Sequence, residues 1–176
     1  MNHIYLSLGS NLGNREQYIK EAVQLIQDRV GGIEHVSSFY ESEPWGFSSA
    51  YRFCNCCLSL RSSLAPLPLL DILLEIEQAM GRLREGVGYS DRVIDIDILF
   101  YGDIQLDHPR LTLPHPSMGD RRFVLTPLAE IAPQLIHPLS GKSIAEMLNE
   151  CADASDVIPL GSGDQDLFKS SSSQNI

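Results

Sequence analysis

Apolar side chains recur at every second position from Ile4 to Leu8. Ile4, Leu6 and Leu8 share one face and Tyr5 and Ser7 the other, the pattern of a half-buried strand. A turn-rich stretch, Gly9-Ser10-Asn11-Leu12-Gly13, follows it. Asn14 with Gln17 three residues later resembles a capping box. Tyr18, Ala22, Leu25 and Ile26 then keep helical spacing until Gly31-Gly32 stops the helix. The pattern predicts a second strand over Ile33 to Tyr40, a loop over Glu41 to Tyr51, and a third strand over Phe53 to Arg61. Pro66 suits the first turn of a helix reaching about Met80, and its apolar residues run almost all round, so it should be well buried. Arg82 to Arg92 has no periodicity and reads as a loop. Ile94 to Phe100 is the clearest strand in the chain. Leu111 to Pro116 is expected to be extended, Arg121 to Ala132 partly helical, and Ser143 to Asn149 a short helix. Runs of strands prevail over strict strand–helix alternation, which favours an α+β sandwich with a largely antiparallel sheet.

The 176 residues suffice for one domain with a genuine core, expected over 1–160. From Gly161 onward, Gly, Asp, Gln and four consecutive serines argue for a disordered tail over 161–176. Hydrophobic residues make up 43% and charged residues 20%, the profile of a soluble globular protein. No stretch is long and apolar enough for a membrane span, and the polar N-terminus is not a secretory signal, so a cytoplasmic protein without membrane attachment is expected. The formal net charge of −10 argues against nucleic acid as a partner, because such binding relies on Lys and Arg neutralising phosphates. Cys54, Cys56, Cys57 and Cys151 fit no common zinc frame. They read as reduced thiols, Cys54 and Cys56 pointing into the core with Leu58 and Leu60.

The acidic total hides a more balanced window. Arg82 to Arg122 holds six arginines and no lysine against seven acids, and arginine suits bidentate recognition of phosphate or carboxylate. Inside it, Ile94-Asp95-Ile96-Asp97-Ile98 puts two carboxylates on one strand face about 6.6 Å apart, with the isoleucines turned into the core. Adjacent carboxylates repel, which raises a pKa or calls in a cation, and magnesium is the usual partner of carboxylates and phosphates together. Two solvated aspartates on an exposed face would be the bland alternative. Arginines on both sides favour a phosphoryl-transfer site. No P-loop and no protein-kinase signature is present. Another Asp-x-Asp metal-dependent phosphotransferase or nucleotidyltransferase, or a non-enzymatic binding module, remains open at this point.

Further segments make the chain resemble a known family. They are Tyr5-Leu6-Ser7-Leu8-Gly9-Ser10-Asn11-Leu12-Gly13, Val36-Ser37-Ser38-Phe39-Tyr40, Phe53-Cys54-Asn55 and Gly81-Arg82-Leu83-Arg84. Then come Arg92-Val93-Ile94-Asp95-Ile96-Asp97-Ile98-Leu99, Leu113-Pro114-His115-Pro116, and Arg121-Arg122-Phe123-Val124-Leu125-Thr126-Pro127-Leu128. In this order and spacing, over about residues 4 to 150, they resemble the 6-hydroxymethyl-7,8-dihydropterin pyrophosphokinases of folate biosynthesis.

The resemblance implies a ferredoxin-like α+β sandwich and transfer of pyrophosphate from ATP to a pterin alcohol, releasing AMP. It implies that Asp95 and Asp97 hold two magnesium ions, with Arg82 and Arg92 catalytic beside them. Arg82, Arg92, His115 and Arg121 would contact the ATP phosphates, Arg84 would sit on a closing loop, and Ile98, Arg110 and Thr112 would help hold the adenosine. Asn55, Phe53 and Phe123, with Ser42, Glu43 and Trp45 of the following loop, would hold the pterin, and Tyr89 would cover it. Two departures stand out. The loop Val87-Gly88-Tyr89-Ser90-Asp91 carries an acid where the family has a Trp-Gly-Pro-like stretch, and Trp45 replaces a smaller apolar residue. A monomer acting on small molecules is expected. The loop from about Leu83 to Asp91 should close only over bound nucleotide, its flanking arginines having little to pair with before then.

Overall fold

A computed structural model describes residues 1–82 and 88–161. Its centre is β1 (Asn2–Ser10), flanked antiparallel by β4 (Phe53–Ser62) and β5 (Asp95–Tyr101). β2 (Gly32–Val36) and β3 (Tyr40–Ser42) line up along the far side of β4, and β8 (Val157–Pro159) adds to β3, giving the order β5-β1-β4-β3-β8 with β2 also on β4. A separate hairpin pairs β6 (Leu106–His108) with β7 (Leu111–Leu113). Helices α1 (Arg15–Arg29) and α2 (Pro66–Ala79) pack on one side of the sheet, and α3 (Arg122–Ile131) and α4 (Ile144–Glu150) on the other. The antiparallel α+β layering matches the expectation. Among the described residues no helix is long and apolar enough to cross a membrane. The tail expected over 161–176 lies, apart from Gly161, outside the described residues.

Alternation along the strands explains the two cores. Ile4, Leu6 and Leu8 meet Cys54, Cys56, Leu58 and Leu60 of β4 and Ile96 and Ile98 of β5, all buried against α1 and α2. The opposite parity sends Tyr5 and Cys57 toward Val124, Leu125 and Leu128 of α3. The cysteines follow the rule: Cys54 and Cys56 face α1 and α2, Cys57 faces α3, and all three are free thiols. Burial pushes the Cys54 thiol up to about 12, so it is inert at neutral pH.

Several boundaries differ from expectation for identifiable reasons. The strand expected over Ile33 to Tyr40 is broken, because the Ser37 hydroxyl accepts the Cys57 N–H at 2.9 Å and the Ser38 N–H turns away to Glu130 at 2.9 Å. A side chain there replaces a rung of the backbone ladder. β3 then runs into the stretch expected to be loop. Asn14 caps α1 by accepting the Gln17 N–H at 3.2 Å, but the Gln17 side chain bonds to Glu21 instead of completing a box. Gly31 is required by crowding: a Cβ there would overlap the Arg61 carbonyl oxygen. Arg122 binds the Asp153 carbonyl at 2.6 Å through Nε, while Asp153 accepts the Arg122 N–H at 3.0 Å. This clamp returns the chain toward the sheet, where the unanticipated β8 pairs with β3.

Candidate active site

Helix α3 covers only part of its face of the sheet. Beyond it the strand ends stand open, and a cavity of about 320 Å³ sits there. Its floor follows from register. Gly9 of β1 lies between Asn55 of β4 and Asp95 of β5, and Ser7 lies between Cys57 and Asp97. A Cβ at residue 9 would meet Asn55 Oδ1 at 3.3 Å and Phe53 Cδ1 at 3.6 Å, so glycine keeps the middle of the floor open.

Asn55 marks one end. It is buried, and its Nδ2 donates to Ser42 Oγ at 2.8 Å and to the Tyr40 carbonyl at 3.3 Å, which fixes the amide's orientation. Aromatic rings rise around it: Phe53, Phe47, Trp45, Tyr89 and Phe123 all line the cavity. Phe47 meets Phe53 edge-on at 6.1 Å, and Trp45 meets Tyr89 edge-on at 6.0 Å. Glu43 is on the rim, with Arg52 3.5 Å away. Of the residues expected at a pterin end, Ser42, Glu43, Trp45, Phe53, Asn55, Tyr89 and Phe123 are therefore all brought together.

The other end is charged. Arg82 Nη1 lies 2.6 Å from Asp95 Oδ1 and also pairs with Glu77, while Arg92 Nη1 is 3.3 Å from Asp95 Oδ2. Burial works against charge on Arg82, but Asp95 and Glu77 outweigh it and raise its pKa. Burial, reinforced by Asp95, pushes the Asp97 carboxyl up to about 7 against the pull of Arg121. Burial and Arg121 hold His115 down to about 4, leaving a neutral ring whose Nδ1 accepts the Ser117 N–H at 3.2 Å. Its proton is then on Nε2. A bulge in β5 places the loop that carries His115: the β1–β5 register shifts between Tyr5 and Leu6, and the Leu99 carbonyl accepts the His115 N–H at 3.0 Å.

Two expectations about this end need correcting. Arg82 and Arg92 are not waiting without partners, because Asp95 engages both. Asp91 does not confront the cavity. It accepts Asn11 Nδ2 at 2.7 Å, and Asn11 also accepts the Arg92 N–H at 2.7 Å, so this acid anchors the loop. Strand parity buries the Ile98 side chain in the core between β1 and the helices, as alternation predicts. Arg110, paired with Asp71 on the surface, and Thr112 of β7 do not line this cavity. Arg84 lies outside the described residues, as does most of the expected closing loop. Sequence reasoning missed Ser7, Gly9, Phe47 and Ser117, and it left out Glu77, which is buried beside Arg82.

Residues 5–133 match the family described as 7,8-dihydro-6-hydroxymethylpterin-pyrophosphokinase. The chain belongs to this family. It is 47% identical to the 2-amino-4-hydroxy-6-hydroxymethyldihydropteridine pyrophosphokinase of Porphyromonas gingivalis, over 77% of this chain and 93% of that protein. With the Bacillus subtilis protein of the same name it shares 41% identity over 77% of this chain and 81% of the relative. Among solved structures it resembles Plasmodium falciparum HPPK-DHPS with a TM-score of 0.67 at 18% identity, covering 85% of this chain and 43% of that longer one. A structure of HPPK-DHPS in complex with substrates gives a TM-score of 0.68 over 84% of this chain and 43% of the other. At such identity the likeness concerns the fold, which is the ferredoxin-like sandwich of pyrophosphokinase domains.

Proposed function

We propose that the cavity at the open end of the sheet is where this pyrophosphokinase moves a pyrophosphoryl group from ATP to 6-hydroxymethyl-7,8-dihydropterin, a step of folate biosynthesis. The pterin hydroxymethyl oxygen attacks the β-phosphorus and gives up its proton to solvent, the bond between that phosphorus and the oxygen bridging to the α-phosphate breaks, and AMP leaves with the bridging oxygen. The observation that carries the reading is the two-ended cavity: a fixed amide among aromatic rings at one end, carboxylates and arginines at the other, one row of the sheet joining them.

Each end has chemistry suited to its substrate. A flat heterocycle stacks on Phe53 and Phe123 and pairs with Asn55, whose amide Ser42 and Tyr40 hold in place. Arg82, Arg92 and Arg121 supply fixed donors for phosphate oxygens, and neutral His115 supplies Nε2–H. The donor set suits magnesium. Asp95 and Asp97 are oxygen ligands crowded enough to disfavour two free charges, and no cluster of three or more candidate ligands exists among the described residues. Phosphates and water would complete the coordination of two ions held by Asp95 and Asp97. Bound magnesium would supply Lewis-acid polarisation of the phosphates. With Asp95 holding a metal, Arg82 and Arg92 would be free of it to meet phosphate, and Glu77 would still steady Arg82.

This reading takes residues 1–160 as one catalytic domain acting as a cytoplasmic monomer on two small molecules, with no nucleic acid or membrane involved. The test is AMP formation from ATP and magnesium with and without hydroxymethyl-dihydropterin. AMP and pterin diphosphate should appear in equal amounts and only with both substrates. ATP consumption that ignores the pterin, or that yields ADP, would refute the reading.

A further inference from the structure

Arg121 is held in an unusual way. It immediately precedes α3 in extended conformation, with φ −122° and ψ 97°, and is 6% exposed. Its guanidinium carbon stands 4.6 Å from the centre of the Trp45 ring, with the Phe123 ring at 6.0 Å and the Tyr89 ring at 5.6 Å. Nη2 donates to the Tyr89 hydroxyl at 2.7 Å, and Nε is buried with no hydrogen-bond partner. Stacking on an indole limits the plane of a guanidinium but leaves it free to rotate within that plane. The hydrogen bond to Tyr89 removes that freedom. It thereby selects which of the remaining donors face the cavity.

Tyr89 is itself seated by the loop it touches. Gly46 has φ +82°, a conformation that favours glycine, and a Cβ there would come 3.1 Å from the Tyr89 ring. The ring packs edge-on against Trp45, so one aromatic pair supports Arg121 by a face and by a hydroxyl at once.

We propose that the Tyr89 hydroxyl is a positioning group for Arg121, so that a residue whose ring borders the pterin end sets the donors offered to the ATP phosphates. The inference rests on the assignment of this cavity to ATP and pterin. Phenylalanine and tryptophan at position 89 both keep an aromatic ring, but neither can accept a hydrogen bond from arginine. The ring and the hydroxyl can therefore be tested apart.

The experiment is calorimetric binding of α,β-methylene-ATP with magnesium, and separately of hydroxymethyl-dihydropterin. Tyr89→Phe should weaken the nucleotide by about three- to tenfold, the range for one partly exposed charged hydrogen bond, and change pterin affinity less than twofold. Tyr89→Trp should show the same nucleotide loss. In an Arg121→Ala background Tyr89→Phe should cost nothing further, because the hydroxyl then has no guanidinium to orient. Unchanged nucleotide affinity in Tyr89→Phe, equal losses for both ligands, or an undiminished loss in the Arg121→Ala background would each overturn the proposal. A wild-type chain that binds no nucleotide would instead overturn the functional assignment, and the inference with it.

Discussion

The two faces of the central sheet are made from the same strands and have opposite characters. Toward α1 and α2, Leu6, Leu8, Leu58 and Ile96 meet a complete apolar cover. Toward α3, cover extends over Tyr5, Cys57, Leu99 and Phe100. One rung further along β1 the same parity delivers Ser7, then Gly9, each beside an aspartate. Strand alternation thus makes a core and a catalytic floor from interleaved residues, and the length of α3 decides where one gives way to the other. The closed face can be optimised for packing. The open face keeps like charges together and leaves two arginine Nε donors, on Arg92 and Arg121, without partners. Such groups cost stability, which marks this face as shaped for a ligand.

Substituting each face in turn sharpens the contrast. Asp97→Asn should lower pyrophosphoryl transfer by roughly a thousandfold or more, the scale of losing a group worth several kcal/mol in the transition state. The same variant should be more stable than the parent. The folded pKa of Asp97 is raised from 3.8 to about 7, so its contribution to stability is fully present below 3.8 and is lost as pH rises through 7. In chelator-containing buffer at pH 8 the variant should gain on the order of 1 to 3 kcal/mol, and at pH 4 almost nothing. Melting curves at the two values, beside an AMP assay, check both halves, and a variant less stable at pH 8 would contradict the electrostatic account.

Leu6→Ala addresses the closed face. Leu6 is fully buried and pairs across the sheet with Leu58 and Ile98. Its truncation should cost about 3 kcal/mol, with turnover per folded molecule unchanged at a temperature where the variant remains folded. A large loss of turnover in fully folded variant would mean that the two faces are not separable.

The same alternation governs what could be read from sequence. Asp95 and Asp97 were legible because period-two spacing both buries the isoleucines and projects the acids, and the parity of Cys54, Cys56 and Leu58 was legible for the same reason. Helix α2 was legible from its apolar content, and that pattern also held an unused signal. Leu69, Leu73, Ile76 and Glu77 are its buried residues, so Glu77 falls at the spacing of the buried face and had to find a cationic partner. Ser7 and Gly9 depend on strand register, which a single strand does not announce. The break at Ser37 depends on a hydroxyl replacing a backbone rung, and β8 depends on the distant clamp between Arg122 and Asp153. Alternation also put the Ile98 side chain in the core, and the structure agrees with it.

The smallest effect tests the open face from the opposite sign. His115 is held neutral, its pKa lowered from 6.5 to about 4 by burial and by Arg121. A base whose folded pKa lies below its unfolded value binds protons less tightly when folded. Its contribution is therefore intact above pH 6.5 and is lost as pH falls toward 4. Asp97 shifts stability the other way over an overlapping range, so the parent protein's own pH profile mixes the two. A difference measurement separates them. In His115→Asn the amide oxygen can replace Nδ1 as acceptor for the Ser117 N–H, the bond now made at 3.2 Å, while the titratable group disappears. Relative to the parent, the variant should gain on the order of 1 kcal/mol as pH falls from 7 to 5 in chelator-containing buffer, read from denaturant midpoints at each pH. A constant difference between variant and parent across that range would show that His115 is not held neutral by its surroundings, and that burial on the open face is weaker than its geometry implies.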